Sequence, residues 1–274
     1  MYRKEIEGFI DSHREEMIED ICTLCRINSE KMPYVEGKPY GEGPFQALQA
    51  ALGIAEGYGF SIRNYDNYVG TADLNDKERQ LDILAHLDVV PAGEGWTETK
   101  PFEPVVKDGK LFGRGTADDK GPAVAALYAM RAVKELDIPL NKSVRLILGT
   151  DEECGSSDIV NYYDKEDEAP MTFSPDAEFP VINVEKGGLA AHFTGSFDKS
   201  REPARLVSLD AGIKINVVPA KAYAAVEGVS LQMMEDVAAD VSAETGIRFT
   251  FVCEGSLVKI TAEGVNAHAA HPEG

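Results

Sequence analysis

A chain of 274 residues suits one large domain or two ordinary ones, and its 43% hydrophobic and 27% charged residues allow a substantial core and exclude global disorder. With 47 acidic against 27 basic residues the formal net charge is −20, which repels phosphate backbones and anionic membrane surfaces. Nucleic acid and membranes are therefore excluded as expected partners, and any one Asp or Glu is by default a solvated surface group.

The first 28 residues lack an apolar stretch long enough for a signal peptide, and no window approaches a membrane span, so a cytoplasmic location is expected. Ile6, Phe9, Ile10, Met17, Ile21 and Leu24 instead mark one face of a helix. Cys22 and Cys25 lie within it as C-x-x-C with no second pair, the pattern of reduced core thiols rather than a zinc knuckle. A Gly- and Pro-rich loop (31–44) precedes a second helix over 45–58. FSIRNYDNYVGTADL then alternates like a hairpin or edge strands, LDILAHLDVV reads as a central buried strand, and Asp108-Gly109 marks a short hairpin. A helix over 121–136, with Pro122 in its first turn, leads to a second buried strand at 143–150. Strand, helix, strand predicts an α/β layer architecture with a parallel or mixed sheet.

The texture changes near residue 187. Strand-like segments LAAHFTGSF, AKAYAAVEG, IRFTFVCEG and LVKITAEG surround one helix over 231–245, which predicts a separate α+β module. Domains are expected at 1–186 and 187–274.

Four stretches carry chemistry. His86 and Asp88 interrupt the densest apolar run, where an unpartnered carboxylate costs several kcal/mol. They either satisfy each other in the core or lie at the strand's exit and serve a site. On a strand they share a face, and a carboxylate beside an imidazole fixes its tautomer. In GRGTADDKGP, Asp118 and Asp119 precede a helix and could simply complement its dipole; Asp118 replaces the third glycine of a phosphate loop. Asp151, Glu152 and Glu153 follow a buried strand directly, where open α/β sheets place their ligands, and three adjacent carboxylates repel unless cations or protons neutralise them. Asp176 stands between two prolines in FSPDAEFP. Together, one histidine and several carboxylates at strand ends and turns predict an oxygen-rich pocket for two divalent cations.

The ordered set HLDVVPAGEGW, GRGTADDKGP, GTDEECG and SPDAEFP, with NVVP (216–219) and AHA (267–269), resembles the co-catalytic metallopeptidases that include aminoacylase, glutamate carboxypeptidase and succinyl-diaminopimelate desuccinylase. The resemblance is strongest to the PepV-like (Sapep-type) dipeptidases. It implies a three-layer α/β/α catalytic domain plus an incomplete α+β lid, and a metal-dependent dipeptidase acting on short peptides. His86 and Asp176 would hold one cation and Glu153 the other, with Asp118 bridging. Zn²⁺ is favoured by the ligand set, with Mn²⁺ and Co²⁺ also fitting. Glu152 would be the general base, Asp88 would orient His86, and Asp119 would partner Asp118 across an unusual peptide bond. Asn216 and His268 resemble lid residues that reach the scissile group. The resemblance leaves two other readings: an N-acyl-amino-acid deacylase or desuccinylase, and a catalytically incompetent metal-binding fragment.

The family carries one more histidine ligand near its carboxyl end. Here only His13, His86, His192, His268 and His271 occur, none placed for that role, so a piece of a longer protein is expected. His13 and His192 are expected to be structural and His271 to have no site role. The intact protein is expected to be a monomer.

Overall fold

In the computed structural model, residues 2–177 (except 94), 182, 184, 187–196, 203–212, 215, 217–269 and 272 are described. The chain divides into two compact units, Met1–Val184 and Glu185–Gly274.

The first unit opens with helices α1 (Arg3–Ser12) and α2 (Arg14–Cys25), not the single helix expected. Local side-chain bonding explains the interruption at His13: Ser12 Oγ and His13 Nδ1 both donate to the Phe9 carbonyl, each at 2.8 Å. The His13 ring stacks on Phe9, 4.0 Å between centroids. Cys22 and Cys25 are buried, free thiols, as expected. Helix α3 (Glu42–Gly57) follows, then the hairpin β1 (Ser61–Tyr65) and β2 (Val69–Asp73), and strand β3 (Arg79–His86). A small hairpin, β4 (Val105–Lys107) and β5 (Lys110–Phe112), turns through Asp108 and Gly109, both at positive φ. Helix α4 (Lys120–Glu135), strand β6 (Ser143–Gly149), helix α5 (Ser157–Tyr163) and strand β7 (Met171–Phe173) complete the unit.

The five-stranded sheet runs β1-β2-β6-β3-β7. The β1–β2 and β2–β6 pairs are antiparallel, whereas β3 runs parallel to both β6 and β7, so the sheet is mixed. Alternation along the strands assigns the two faces. Ile83, Ala85, Leu146 and Leu148 join α2, α3 and α4 in the main core, and Ile147 packs with Tyr162 of α5 on the other face. Helices thus cover both sides, a three-layer α/β/α arrangement. Burying Leu148 or Ile147 side chains stabilises by about 1.5–3 kcal/mol each, which holds the strand ends in place.

The expected strand through Val90 is shorter: β3 ends at His86, and Asp88 lies beyond it. The chain there turns to pair with the loop after α2, with Val89 bridged in parallel to Glu30.

The second unit, taken by itself, has a four-stranded antiparallel sheet ordered β11-β12-β10-β8. Its elements are β8 (Arg205–Ala211), β9 (Val217–Val218), β10 (Lys221–Glu227), α6 (Leu231–Thr245), β11 (Arg248–Glu254), β12 (Leu257–Glu263) and β13 (Ala267–His268). Ser230 caps α6, its Oγ accepting from Met233 N at 3.2 Å, and Gly246 closes the helix at φ 75°. Strand β13 pairs with β9, setting His268 opposite Val217. Residues 189–196 form no strand and are exposed, against expectation, and His192 lies among them. Among the described residues no strand pairs with them; β8 takes the sheet's edge instead.

Among the described residues, no helix is long and apolar enough to cross a membrane.

Candidate metal centre and acid turn

Parallel pairing brings the chemistry together. His86, the last residue of β3, stands opposite Gly149, the last of β6, so both strands release their chains at one edge. Strand β7 leaves in the same direction and reaches Asp176 three residues later, its backbone N–H held by Ser174 Oγ at 3.2 Å. Asp118 arrives from the loop before α4 through a cis peptide bond to Asp119. That loop packs so closely on α4 that a Cβ at Gly121 would stand 2.0 Å from the Thr116 carbonyl oxygen; only glycine fits.

His86 is the centre of the arrangement. Its Nδ1 donates to the Asp88 backbone carbonyl at 3.1 Å and also lies 3.3 Å from Asp88 Oδ1. This leaves Nε2 facing Asp118 Oδ1 at 3.1 Å, Asp176 Oδ2 at 3.3 Å and Glu152 Oε2 at 3.9 Å. Nε2 is buried without a hydrogen-bond partner among the described residues. Ligand atoms of His86, Asp118 and Asp176 all lie within 4.8 Å of one another. An imidazole nitrogen and carboxylate oxygens at such separations repel unless a cation, or a proton on Nε2, sits between them. The donor set therefore fits a divalent cation, with Nδ1 anchored as metal-ligating histidines require.

The charges respond accordingly. Burial opposes protonation of His86, but Asp118, Asp176 and Asp88 outweigh it and hold its pKa well above the ordinary 6.5. His86 in turn lowers the pKa of Asp118. Burial, reinforced by neighbouring carboxylates, raises both Glu152 and Glu153. Asp119 is fully buried and accepts from the His86 backbone N–H at 3.1 Å; burial pushes it up to about 7.

Glu152 and Glu153 sit on a short 3-10 turn, Glu152–Cys154, just past β6. Their backbone N–H groups donate to Asp88 Oδ1 and Oδ2, each at 3.1 Å, so one buried carboxylate serves both the histidine and the acid turn. Glu152 is half-exposed toward the site. Glu153 feels Asp118 as its strongest charged neighbour but lies outside the three-residue cluster. Asn216 and the His268 side chain lie outside the described residues, as does His271.

Two residues to which the sequence assigns no role, Asp158 and Lys120, hold this turn and the start of α4 respectively. Asp158 accepts from Thr150 N at 2.5 Å and Asp151 N at 3.1 Å. Lys120, fully buried, donates to the Leu24 and Ile27 carbonyls at 3.0 and 2.8 Å, which ties the start of α4 to the end of α2. The only sequence signal for either was a charge within an apolar neighbourhood.

Residues 83–269 match peptidase family M20/M25/M40. YtjP of Bacillus subtilis (strain 168) is 35% identical over 263 residues, covering 94% of this chain and 57% of that protein. The Beta-Ala-Xaa dipeptidase of Lactobacillus delbrueckii subsp. lactis is 34% identical over 267 residues, covering 96% of this chain and 56% of the relative. The chain thus spans little more than half the length of these relatives. Among solved structures, human carnosine dipeptidase 1 superposes with a TM-score of 0.55 at 25% identity, over 62% of this chain and 40% of the human one. The match covers His86, Asp118, the acid turn and Asp176 alike, and on it the chain belongs to peptidase family M20/M25/M40.

Proposed function

We propose that this chain carries the metal-binding and catalytic carboxylates of a metal-dependent dipeptidase. The observation that supports it most is His86: a buried imidazole with Nδ1 anchored and Nε2 unpartnered, facing carboxylates of Asp118 and Asp176. The relatives named as dipeptidases point to the same substrate class.

In this reading the first unit is the N-terminal part of the catalytic domain and the second, in whole or part, its lid. His86 and Asp176 would hold one cation and Glu153 the other, with Asp118 serving both. The ligand chemistry favours Zn²⁺, with Mn²⁺ and Co²⁺ as alternatives. When bound, the cations would supply Lewis-acid chemistry, polarising the peptide carbonyl and lowering the pKa of a water from about 15.7 toward about 7. Glu152 accepts the proton of the attacking water at its carboxylate and delivers it to the leaving amine. Asp88 keeps His86 and the acid turn in register. Asn216 and His268 are the residues that reach the substrate's scissile group. A cleft lined by Leu84, His86, Glu152, Ile159, Ser174 and Asp176 receives part of the substrate. The buried thiols Cys22 and Cys25 agree with a reducing, cytoplasmic setting, and we read the intact protein as a monomer.

The test compares hydrolysis of β-alanyl and α-dipeptides with that of N-acetyl and N-succinyl amino acids, in the wild type and in Glu152→Ala. In the full-length protein that contains this chain, dipeptides are expected to be cleaved and Glu152→Ala to lose about 10²–10⁴-fold in rate with bound metal retained, whereas the 274-residue chain alone is expected to have little activity. Activity surviving in Glu152→Ala, or confined to N-acyl amino acids, overturns the reading.

A further inference from the structure

A loop containing Ser29, Glu30 and Lys31 follows α2. It runs beside both segments that carry the site. Ser29 is fully buried and donates through Oγ to the Leu87 carbonyl at 2.6 Å, while its own carbonyl accepts from Val89 N at 3.3 Å. Glu30 Oε1 accepts from Ala92 N at 2.9 Å. These contacts fasten the loop along the exit of β3, where His86 and Asp88 stand.

The next residue reaches the other segment. Lys31 Nζ donates to Asp151 Oδ1 at 2.6 Å across 120 positions of sequence. The Asp151 side chain is 0% exposed and that of Lys31 is 36% exposed, so the ammonium closes over a carboxylate that water does not reach. Asp151 organises the acid turn. Its Oδ2 accepts from Ser157 Oγ at 2.6 Å and Ser157 N at 3.2 Å, and its backbone carbonyl accepts from Ser156 N at 2.8 Å. The Lys31 ammonium also lies 5.0 Å from the Tyr40 ring centroid, and Tyr40 OH shares a hydrogen bond of 2.8 Å with Ser157 Oγ. Loop, aromatic ring and turn form one closed set of contacts.

We infer that Lys31 is a positioning residue for the acid turn: with Ser29 and Glu30 gripping the β3 exit, its ion pair to Asp151 sets where Glu152 and Glu153 stand relative to His86. Removing the ammonium leaves a buried carboxylate without its counter-charge, and the turn rearranges to solvate it. The consequence is local, because strand β6 is held independently by β2 and β3. A one-ångström error at a general base is enough to cost orders of magnitude in rate.

The inference rests on the proposed roles of Glu152 and Glu153, but its test does not. Hydrogen exchange is measured on the full chain for the segment 150–156 and, as reference, for 143–149, in the wild type, Lys31→Met and Lys31→Arg. The Glu152 and Glu153 amides, which donate to Asp88, are expected to exchange at least about tenfold faster in Lys31→Met, with the reference segment unchanged and Lys31→Arg restoring protection. Unchanged exchange at 150–156, or a loss spread equally over 143–149, overturns the inference. If Lys31→Met does not fold, the comparison of Lys31→Gln with Lys31→Arg decides by the same criterion. Where the wild type cleaves dipeptides, Lys31→Met lowers kcat at least about tenfold with KM changed less than about threefold. A full-length wild type without activity would count against the dipeptidase reading alone, since the exchange measurement decides the role of Lys31 by itself.

Discussion

Truncating Asp88 to alanine strikes the point where histidine and acid turn meet. The carboxylate is 1% exposed and accepts two backbone N–H groups, from Glu152 and Glu153, each at 3.1 Å. Hydrogen bonds to a charged group contribute about 1.5–3 kcal/mol each. Both bonds hold one turn, so their losses overlap, and the expected destabilisation is near the lower sum, about 3 kcal/mol. The bond from His86 Nδ1 to the backbone carbonyl of residue 88 survives the substitution, since it needs no side chain. Metal affinity therefore falls by about 10–100-fold, the usual result of removing a residue that orients a ligand, rather than vanishing. Asp88→Asn keeps one acceptor oxygen and should lose about half as much stability. Urea unfolding of the metal-free protein gives the first quantity, and Zn²⁺ titration by calorimetry gives the second. If Asp88→Ala unfolds at the wild-type urea concentration and binds Zn²⁺ equally well, the reasoning about this carboxylate is wrong.

Two further outcomes concern the network on the far side of the sheet. Arg145 donates from Nε and Nη2 to both oxygens of Asp73, at 2.7 and 3.1 Å, and from Nη1 to Glu166 at 3.0 Å and Tyr162 OH at 2.9 Å. Arg145→Met leaves Asp73 without its ion pair, while Glu166 keeps its bond from Tyr65 at 2.7 Å, and should cost about 3 kcal/mol in thermal or urea unfolding; a loss below about 1 kcal/mol would refute the network's role. Burial opposes ionisation of Glu166, yet bonds from Tyr65 and Arg145 hold its pKa below the ordinary 4.5. A depressed folded-state pKa means that the unfolded chain binds the proton first. The stabilisation is thus present above pH 4.5 and lost as pH falls through the depressed value. Acid unfolding of Glu166→Gln should be flatter in that window than wild type, and identical pH profiles would contradict this.

Much of the fold was legible because its periodicities are strong. The buried runs of β3 and β6 and the Pro-initiated helix α4 declare a strand-helix-strand crossover, and the C-terminal ends of such strands are where ligands gather. Asp118 and the acid turn could therefore be placed before any contact was seen. Features set by distant contacts were not legible. The break at His13 arises from side chains competing for one carbonyl. Strand β7 is only three residues long and exposed, so it carries no burial pattern, yet it is what delivers Asp176. The alternation of residues 189–196 looked like a strand because periodicity cannot reveal whether a neighbouring strand exists. Asp88 was tied to His86 by strand geometry; the structure ties them through a turn beyond the strand, and adds the Glu152 and Glu153 amides that no spacing rule announces. Lys31 left no local trace, since its partner lies 120 positions away.

The measurement that bears most directly on the central claim is Zn²⁺ binding by this chain, read as metal content after dialysis and as affinity by calorimetry, in the wild type, His86→Ala and Asp176→Ala. The account predicts that the wild type retains Zn²⁺ and that each variant folds normally but binds at least about tenfold more weakly. A wild type that retains no Zn²⁺, or variants that bind it as tightly as the wild type, would contradict it.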